Sequence, residues 1–124
     1  SPGAITEHFT LNFTITNLMF TTDLQTPNSR KFRSAEKIMK HYLDPLFKRS
    51  SISSAYTGCK AMRFRSGRHQ RDDTKVDAVC SYKDNASLAR FDREKLYQEL
   101  STMTDSVTTL GPYSLDRSSL YVDG

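Results

Sequence analysis

The sequence predicts an α+β fold with the ferredoxin-like order β-α-β-β-α-β, a four-stranded antiparallel sheet and both helices on one face. Segments that alternate apolar and polar residues flank two segments whose apolar residues recur every three or four positions. The chain has 124 residues, which suits one domain with a substantial core. We expect residues 1–7 to be a linker, residues 8–124 to form the domain, and the strand order to be 4-1-3-2.

The first strand and the first helix have the clearest periodicity. Apolar and polar side chains alternate over residues 8–17, so Asn12 falls on the polar face of the predicted strand. Residues 32–46 carry apolar side chains at steps of three and four with charged residues between them, which is typical of an amphipathic helix. The end of this helix is left open, because Asp44-Pro45 could stop it or cap a further short turn.

The middle of the chain reads as a β-hairpin. Residues 55–65 and 74–83 are the two predicted strands, and the polar segment between them is an eight-residue loop. This loop length pairs Arg65 with Thr74 across the hairpin.

The two cysteines of the chain fall opposite each other in that register. Pairing Cys59 with Cys80 places their Cα atoms within disulfide range for either kind of antiparallel pair. The alternative is two buried free thiols. One difficulty stays open, because Cys59 faces outward and Asp77 inward if Met62 and Phe64 face the core. A bulge in the third strand would resolve it.

The second helix and the last strand complete the order. Asp92 is the predicted helix N-cap, and Phe91 and Leu96 occupy the two positions of a hydrophobic staple. Gly111-Pro112 ends any helical continuation. Residues 118–122 read as a short final strand.

Composition and charge exclude several classes of function. No apolar run exceeds three residues, so we expect no membrane crossing, and the scattered histidines and cysteines predict no metal site and no cofactor. The net charge of +4 permits an acidic partner without requiring one. The third strand lacks the exposed aromatics of an RNA-binding sheet, so no nucleic acid is expected. A candidate basic patch, alternatively a solvated rim, comprises Arg63, Arg65, Arg68 and Arg71.

Two N-glycosylation sequons point to a secreted or cell-surface protein when they are taken with the cysteine pair. Asn12 begins Asn-Phe-Thr and Asn85 begins Asn-Ala-Ser, and neither triplet has proline in the middle. Because Asn12 lies on the polar face of its strand, a glycan on it would stand in solvent.

Several stretches, together with the element order, resemble the SEA domain family, and the likeness is greatest to tandem modules of a membrane-tethered mucin. The resemblance implies an extracellular, glycosylated, monomeric module that does not itself enter the membrane. It also implies neighbouring mucin modules and a glycan-dependent cell-surface partner such as mesothelin. The matching stretches are Leu11–Leu18, Ser29–Phe32, Pro45–Lys48, Tyr56–Cys59, Val76–Cys80 and Leu110–Val122.

Many SEA domains cleave their own chain between a glycine and a following serine, in the loop between the second and third strands. Here Ser66 precedes Gly67 and Arg68 follows it, so the attacking hydroxyl is missing from its position. The loop is also longer, which relaxes backbone strain. We therefore predict a degenerate cleavage loop and no enzymatic activity. The alternative function is an adhesion module that binds protein or glycan through its exposed sheet or basic loop.

Overall fold

The computed structural model describes residues 5–67, 73–84 and 91–124. Within them, one antiparallel sheet carries two long helices on a single face, and a small two-stranded sheet lies near the end of the chain. The elements in chain order are β1 (Ile5–Ile15), α1 (Thr22–Gln25), α2 (Arg30–Lys48), β2 (Tyr56–Ser66), β3 (Thr74–Asp84), α3 (Arg93–Met103), β4 (Thr109–Leu110), β5 (Tyr113–Ser114) and β6 (Tyr121–Asp123).

The main sheet has the order β2-β3-β1-β6, which confirms the predicted α+β fold and the central place of the first strand. Strand β1 pairs with β3 along its full length, from Ile5 opposite Asp84 to Ile15 opposite Thr74. Residues 5–7, which were expected in the linker, therefore extend the strand. They do so because β3 is long enough to pair with them, up to Asp84 opposite Ile5.

The face of the sheet that bears the helices, here called the covered face, packs into one apolar core. Phe9 is 1% exposed, and its ring meets the ring of Phe47 edge-on at 5.4 Å between centroids. Most of the apolar stripe predicted for the first helix is buried in this core, whereas Ile38 is 39% exposed. The residues that α2 contributes to the core are Phe32, Ala35, Met39, Leu43, Leu46 and Phe47.

Both long helices begin at side-chain caps. The Ser29 hydroxyl accepts from the backbone N–H of Phe32 at 3.0 Å, and the Asp92 carboxylate accepts from the N–H of Lys95 at 3.1 Å. Helix α2 continues through Pro45 to Lys48, so the proline does not stop it. Proline removes one backbone hydrogen bond, and the burial of the last apolar residues of α2 compensates for that loss.

The hairpin register differs from the prediction by one residue. Ser66, not its predecessor, pairs with Thr74. Cys59 nevertheless faces Cys80, because Lys60 is an extra residue between that pair and the next one. The bulge thus lies in β2 and not in the third strand, where it was expected.

This bulge also decides which side chains face the core. Cys59 and Met62 are three positions apart, yet both are buried on the covered face, since the extra residue between them resets the alternation. Cys80 is 1% exposed and is bonded to Cys59. Asp77 lies on the opposite side of the sheet, so the bulge resolves the difficulty that the sequence left open.

The segment after α3 was not predicted in detail. Asp105, Ser106 and Val107 all have positive φ, between 55° and 62°. Left-handed backbone costs about 1–2 kcal/mol per residue for side chains with a Cβ. Burial of Val107 and two hydrogen bonds from the N–H groups of residues 108 and 109 to the Thr104 carbonyl offset this cost.

Candidate functional site

The helix-free side of the sheet, here called the open face, is polar. It is formed by the alternate residues of β1, β3 and β2 and by the edge strand β6. In the central strand β1, Thr10, Asn12 and Thr14 alternate with the core residues, as the sequence predicted. Asn12 is directly opposite Tyr121 of β6 on one side and opposite Asp77 of β3 on the other.

A chain of polar contacts crosses three strands at Asn12. The Asn12 side-chain amide Nδ2 donates to Asp77 Oδ1. Arg65 of β2 donates to the same carboxylate twice, from Nε to Oδ2 at 2.8 Å and from Nη2 to Oδ1 at 3.1 Å. The forked geometry is the one that guanidinium and carboxylate groups prefer. Because Asp77 neutralises Arg65, this part of the open face carries little net charge.

A groove of about 380 Å³ lies beside Asn12. One wall is the end of the β2–β3 hairpin, and the other is the segment that leads into β6. That segment is held to the sheet because the Thr14 backbone N–H donates to the Ser119 hydroxyl at 2.9 Å. Apart from Asn12, the groove is lined by Phe13, Thr14, Arg65, Gly67, Asp73, Lys75, Val76, Asp77, Asp116, Ser118, Ser119 and Tyr121.

Tyr121 places an exposed aromatic ring at this groove. It is 51% exposed, which is high for a ring of this size. The guanidinium of Arg93, at the start of α3, lies 5.6 Å from the ring centroid and makes a cation–π contact. Tyr121 was singled out in the sequence only as part of a short strand. Its pairing with Asn12 depends on tertiary structure.

The predicted degenerate cleavage loop begins at the end of β2. The Ser66 hydroxyl donates to the Gly67 carbonyl at 3.2 Å, and the Gly67 N–H donates to the Asp73 carbonyl at 3.2 Å. A Cβ on Gly67 would lie 2.4 Å from the Cβ of Asp73, so only glycine permits this approach of the two chain segments. Arg68 lies outside the described residues.

Two of the four arginines of the candidate basic patch lie within the described residues. Arg63 is exposed on β2, whereas the charge of Arg65 is neutralised by Asp77. Arg68 and Arg71 lie outside the described residues, as does Asn85 of the second sequon.

A polar contact that the sequence did not predict lies beside the disulfide. The Tyr56 hydroxyl donates to Asp44 Oδ1 on α2 and lies 3.3 Å from Cys59 Sγ. Burial, together with the hydrogen bond and the negative charge of Asp44, raises the pKa of Tyr56 far above its ordinary value. The neutral phenol is therefore the form that the folded chain accommodates.

Two features are absent from residues 5–67, 73–84 and 91–124. These residues contain no cluster of three histidine, cysteine, aspartate or glutamate side chains arranged to hold a metal ion. No helix in the same ranges is both long and apolar enough to span a bilayer.

The family model described as SEA domain matches residues 7–116, which include most of β1, all of α2, β2, β3 and α3, and the small β4–β5 sheet. Domains of this family are typical of extracellular, mucin-like glycoproteins. They occur in the extracellular regions of membrane or secreted proteins. They are generally non-enzymatic, although some cleave their own chain.

Proposed function

The chain belongs to the SEA domain family, and on this premise we propose that it is a structural spacer and N-glycan carrier in a membrane-tethered mucin. In this role the module has no enzymatic activity. It separates heavily glycosylated segments of the mucin at the cell surface and presents its own N-glycans there.

The position of Asn12 carries this proposal. Its side-chain amide lies on the open face of the sheet, away from the core, where an attached oligosaccharide would displace no packed residue. The bonded cysteines support the same role, because disulfides persist in extracellular compartments. The second expected attachment site is Asn85.

The sequence resemblance supports a proposal for the parent protein and its partners. The long stretch Leu110–Val122 is similar to the tandem SEA modules of mucin 16. We infer that neighbouring modules of the same mucin flank a monomeric domain. A cell-surface partner of the mesothelin type would bind its glycans and not its protein surface.

The proposal includes the loss of self-cleavage. Ser66 lies on the N-terminal side of Gly67, and its hydroxyl donates to the carbonyl that follows it. A serine that attacks must lie after the glycine, with its hydroxyl against the preceding carbonyl carbon. We expect a single chain in a denaturing gel, and two fragments that divide near Gly67 would contradict the proposal.

Intact-mass measurement of the secreted chain tests the carrier role. We expect oligosaccharide mass on Asn12, its loss after enzymatic removal of N-glycans, and a small mass increase on reduction that corresponds to one disulfide. Thr14→Ser, which preserves the sequon, is the matched control for Thr14→Ala, which removes it. A secreted, folded chain that has no glycan on Asn12 would refute the carrier role.

The groove and the exposed Tyr121 ring favour a second candidate, an adhesion module that binds its partner through the open face. Enzymatic removal of N-glycans separates the two. A cell-surface partner that is lost with the sugars supports glycan presentation, whereas a partner that is retained supports the protein surface.

A further inference from the structure

We propose that the groove beside Asn12 binds the first sugars of the glycan attached to that residue, so that the base of the glycan lies on the open face. The ligand is the N-acetylglucosamine core that N-linked oligosaccharides share. This inference rests on the proposed function, since it requires a glycan on Asn12.

The first support is the chemistry of the Asn12 amide. A side-chain amide has two N–H bonds, and one of them is used in the contact with Asp77. Glycosylation forms a bond between sugar C1 and Nδ2, while the amide loses one proton and the activated sugar donor loses its diphosphate group. One N–H remains on Nδ2. The contact with Asp77 is therefore compatible with the linkage and fixes the direction in which the sugar leaves.

The second support is that Asp77 is itself held in place. Arg65 binds both of its carboxylate oxygens, and the Asp77 side chain is only 18% exposed. A carboxylate fixed by a forked contact has little rotational freedom. The Asn12 amide plane is consequently oriented before any sugar is attached, which lowers the entropic cost of ordering the glycan base.

The third support is the size and lining of the groove. Its volume of about 380 Å³ lies within the range of pockets that hold small molecules. Sugar hydroxyls both donate and accept hydrogen bonds. The groove offers carboxylate acceptors at Asp77 and Asp116 and a donor at Lys75. The Ser118 hydroxyl donates to Asp116 Oδ1 at 3.1 Å, so its oxygen is a further acceptor.

The fourth support is Tyr121, which provides an apolar surface for the C–H face of a sugar ring. It is the cross-strand neighbour of Asn12, so a sugar linked to the amide starts within reach of the ring. The contact with Arg93 restricts the ring, and the half-exposed surface of Tyr121 is what the sugar would cover.

The test measures the thermal stability that the Asn12 glycan adds, with and without the ring. Wild type, Thr14→Val and Thr14→Ser are secreted from mammalian cells, each with Tyr121 or with Tyr121→Ala. The same six chains made in bacteria, which lack the glycan, give the effect of the side-chain changes alone. Tyr121→Phe is the control that keeps the ring.

We expect the glycan on Asn12 to raise Tm by about 3 °C in wild type and in Thr14→Ser. With Tyr121→Ala that increment falls by at least half, and with Tyr121→Phe it is retained. An occupied Asn12 whose glycan adds the same increment in Tyr121→Ala overturns the inference and leaves the proposed function intact. An unoccupied Asn12 overturns both.

A second measurement does not depend on the Tyr121 variants. The native wild-type chain is treated with an enzyme that removes N-glycans, and the rate at Asn12 is compared with the rate after denaturation. We expect removal from the folded chain to be at least about tenfold slower, which corresponds to about 1.4 kcal/mol of protection. Equal rates would contradict a glycan base bound in the groove.

Discussion

The covered face and the open face are built from alternate residues of the same strands, yet they differ in chemistry. On the covered face Phe9, Leu11 and Val76 are at most 2% exposed and belong to the apolar core. On the open face Asn12 and Asp77 are half-buried and interact through hydrogen bonds. Because apolar burial dominates folding free energy, we expect the covered face to contribute most of the stability. The open face is then available for an attached glycan or a binding partner.

The largest expected effect is on the covered face. Phe9→Ala removes a ring that lies 5.4 Å from Phe47 and 5.3 Å from Phe91, and it leaves a cavity in the core. We expect a loss of about 3–5 kcal/mol in the free energy of unfolding, measured by denaturant titration. The neighbouring change Thr10→Ala, on the open face, should cost no more than about 0.5 kcal/mol. Similar losses for the two variants would remove the basis of the comparison.

The next effect concerns the covalent link on the covered face. Replacing both Cys59 and Cys80 with alanine releases a loop of residue separation 21 in the unfolded chain. In the chain-entropy account we expect a loss of about 3 kcal/mol in unfolding free energy. The reduced wild-type chain is the matched comparison and should lose a similar amount. An unchanged denaturation midpoint in both would show that the bond contributes nothing to stability.

The β2–β3 hairpin, which carries both cysteines, shows which features of the fold could be predicted from the sequence. The cysteine pairing followed from position arithmetic, because a closed hairpin restricts which residues can lie opposite each other. The place of the bulge did not follow, since the mismatch between Cys59 and Met62 indicates an extra residue without showing which strand contains it. The predicted register at the loop was consequently wrong by one residue, and the bulge restored the pairing at the cysteines.

The candidate site on the open face was also predicted only in part. The alternation in β1 placed Asn12 on the open face, because a strand with period two has only two faces. The contacts of Asn12 with Asp77 and Tyr121 depend on the register of two other strands, which a single segment does not encode. For the same reason the short elements α1, β4 and β5 were missed, since tertiary contacts determine them more than local propensity.

A smaller and pH-dependent effect is expected at Tyr56, beside the disulfide. Its pKa is raised in the folded chain by burial and by Asp44, so the stability that its neutral phenol contributes is complete below the unfolded pKa, about 10, and is lost as pH rises above it. At neutral pH we expect Tyr56→Phe to cost about 1–2 kcal/mol in unfolding free energy.

The measurement is denaturant titration of Tyr56→Phe and wild type from neutral pH to about pH 11. We expect the difference in unfolding free energy between wild type and Tyr56→Phe to become smaller above about pH 10, because only wild type loses the contribution of this phenol. Tyr113→Phe is the matched variant. Burial also raises the pKa of Tyr113, but less strongly, so the narrowing should be smaller. A gap that stays constant with pH would contradict the role assigned to Tyr56.

The smallest effect is expected on the open face. It tests whether the polar contacts of this face contribute less to stability than the apolar contacts of the covered face. Asp77→Asn keeps the shape of the side chain but removes the charge that binds Arg65, whose side chain is 44% exposed. Partly exposed ion pairs contribute about 0.2–1 kcal/mol, so the loss in unfolding free energy should stay below about 1 kcal/mol. It should diminish in about 1 M salt, where the Debye length is near 3 Å. Asp84→Asn, at the exposed end of β3, is the control and should have no measurable effect. If Asp77→Asn cost as much as Phe9→Ala, the polar chain across β1, β2 and β3 would itself support the fold, and the open face could not be regarded as free for a glycan.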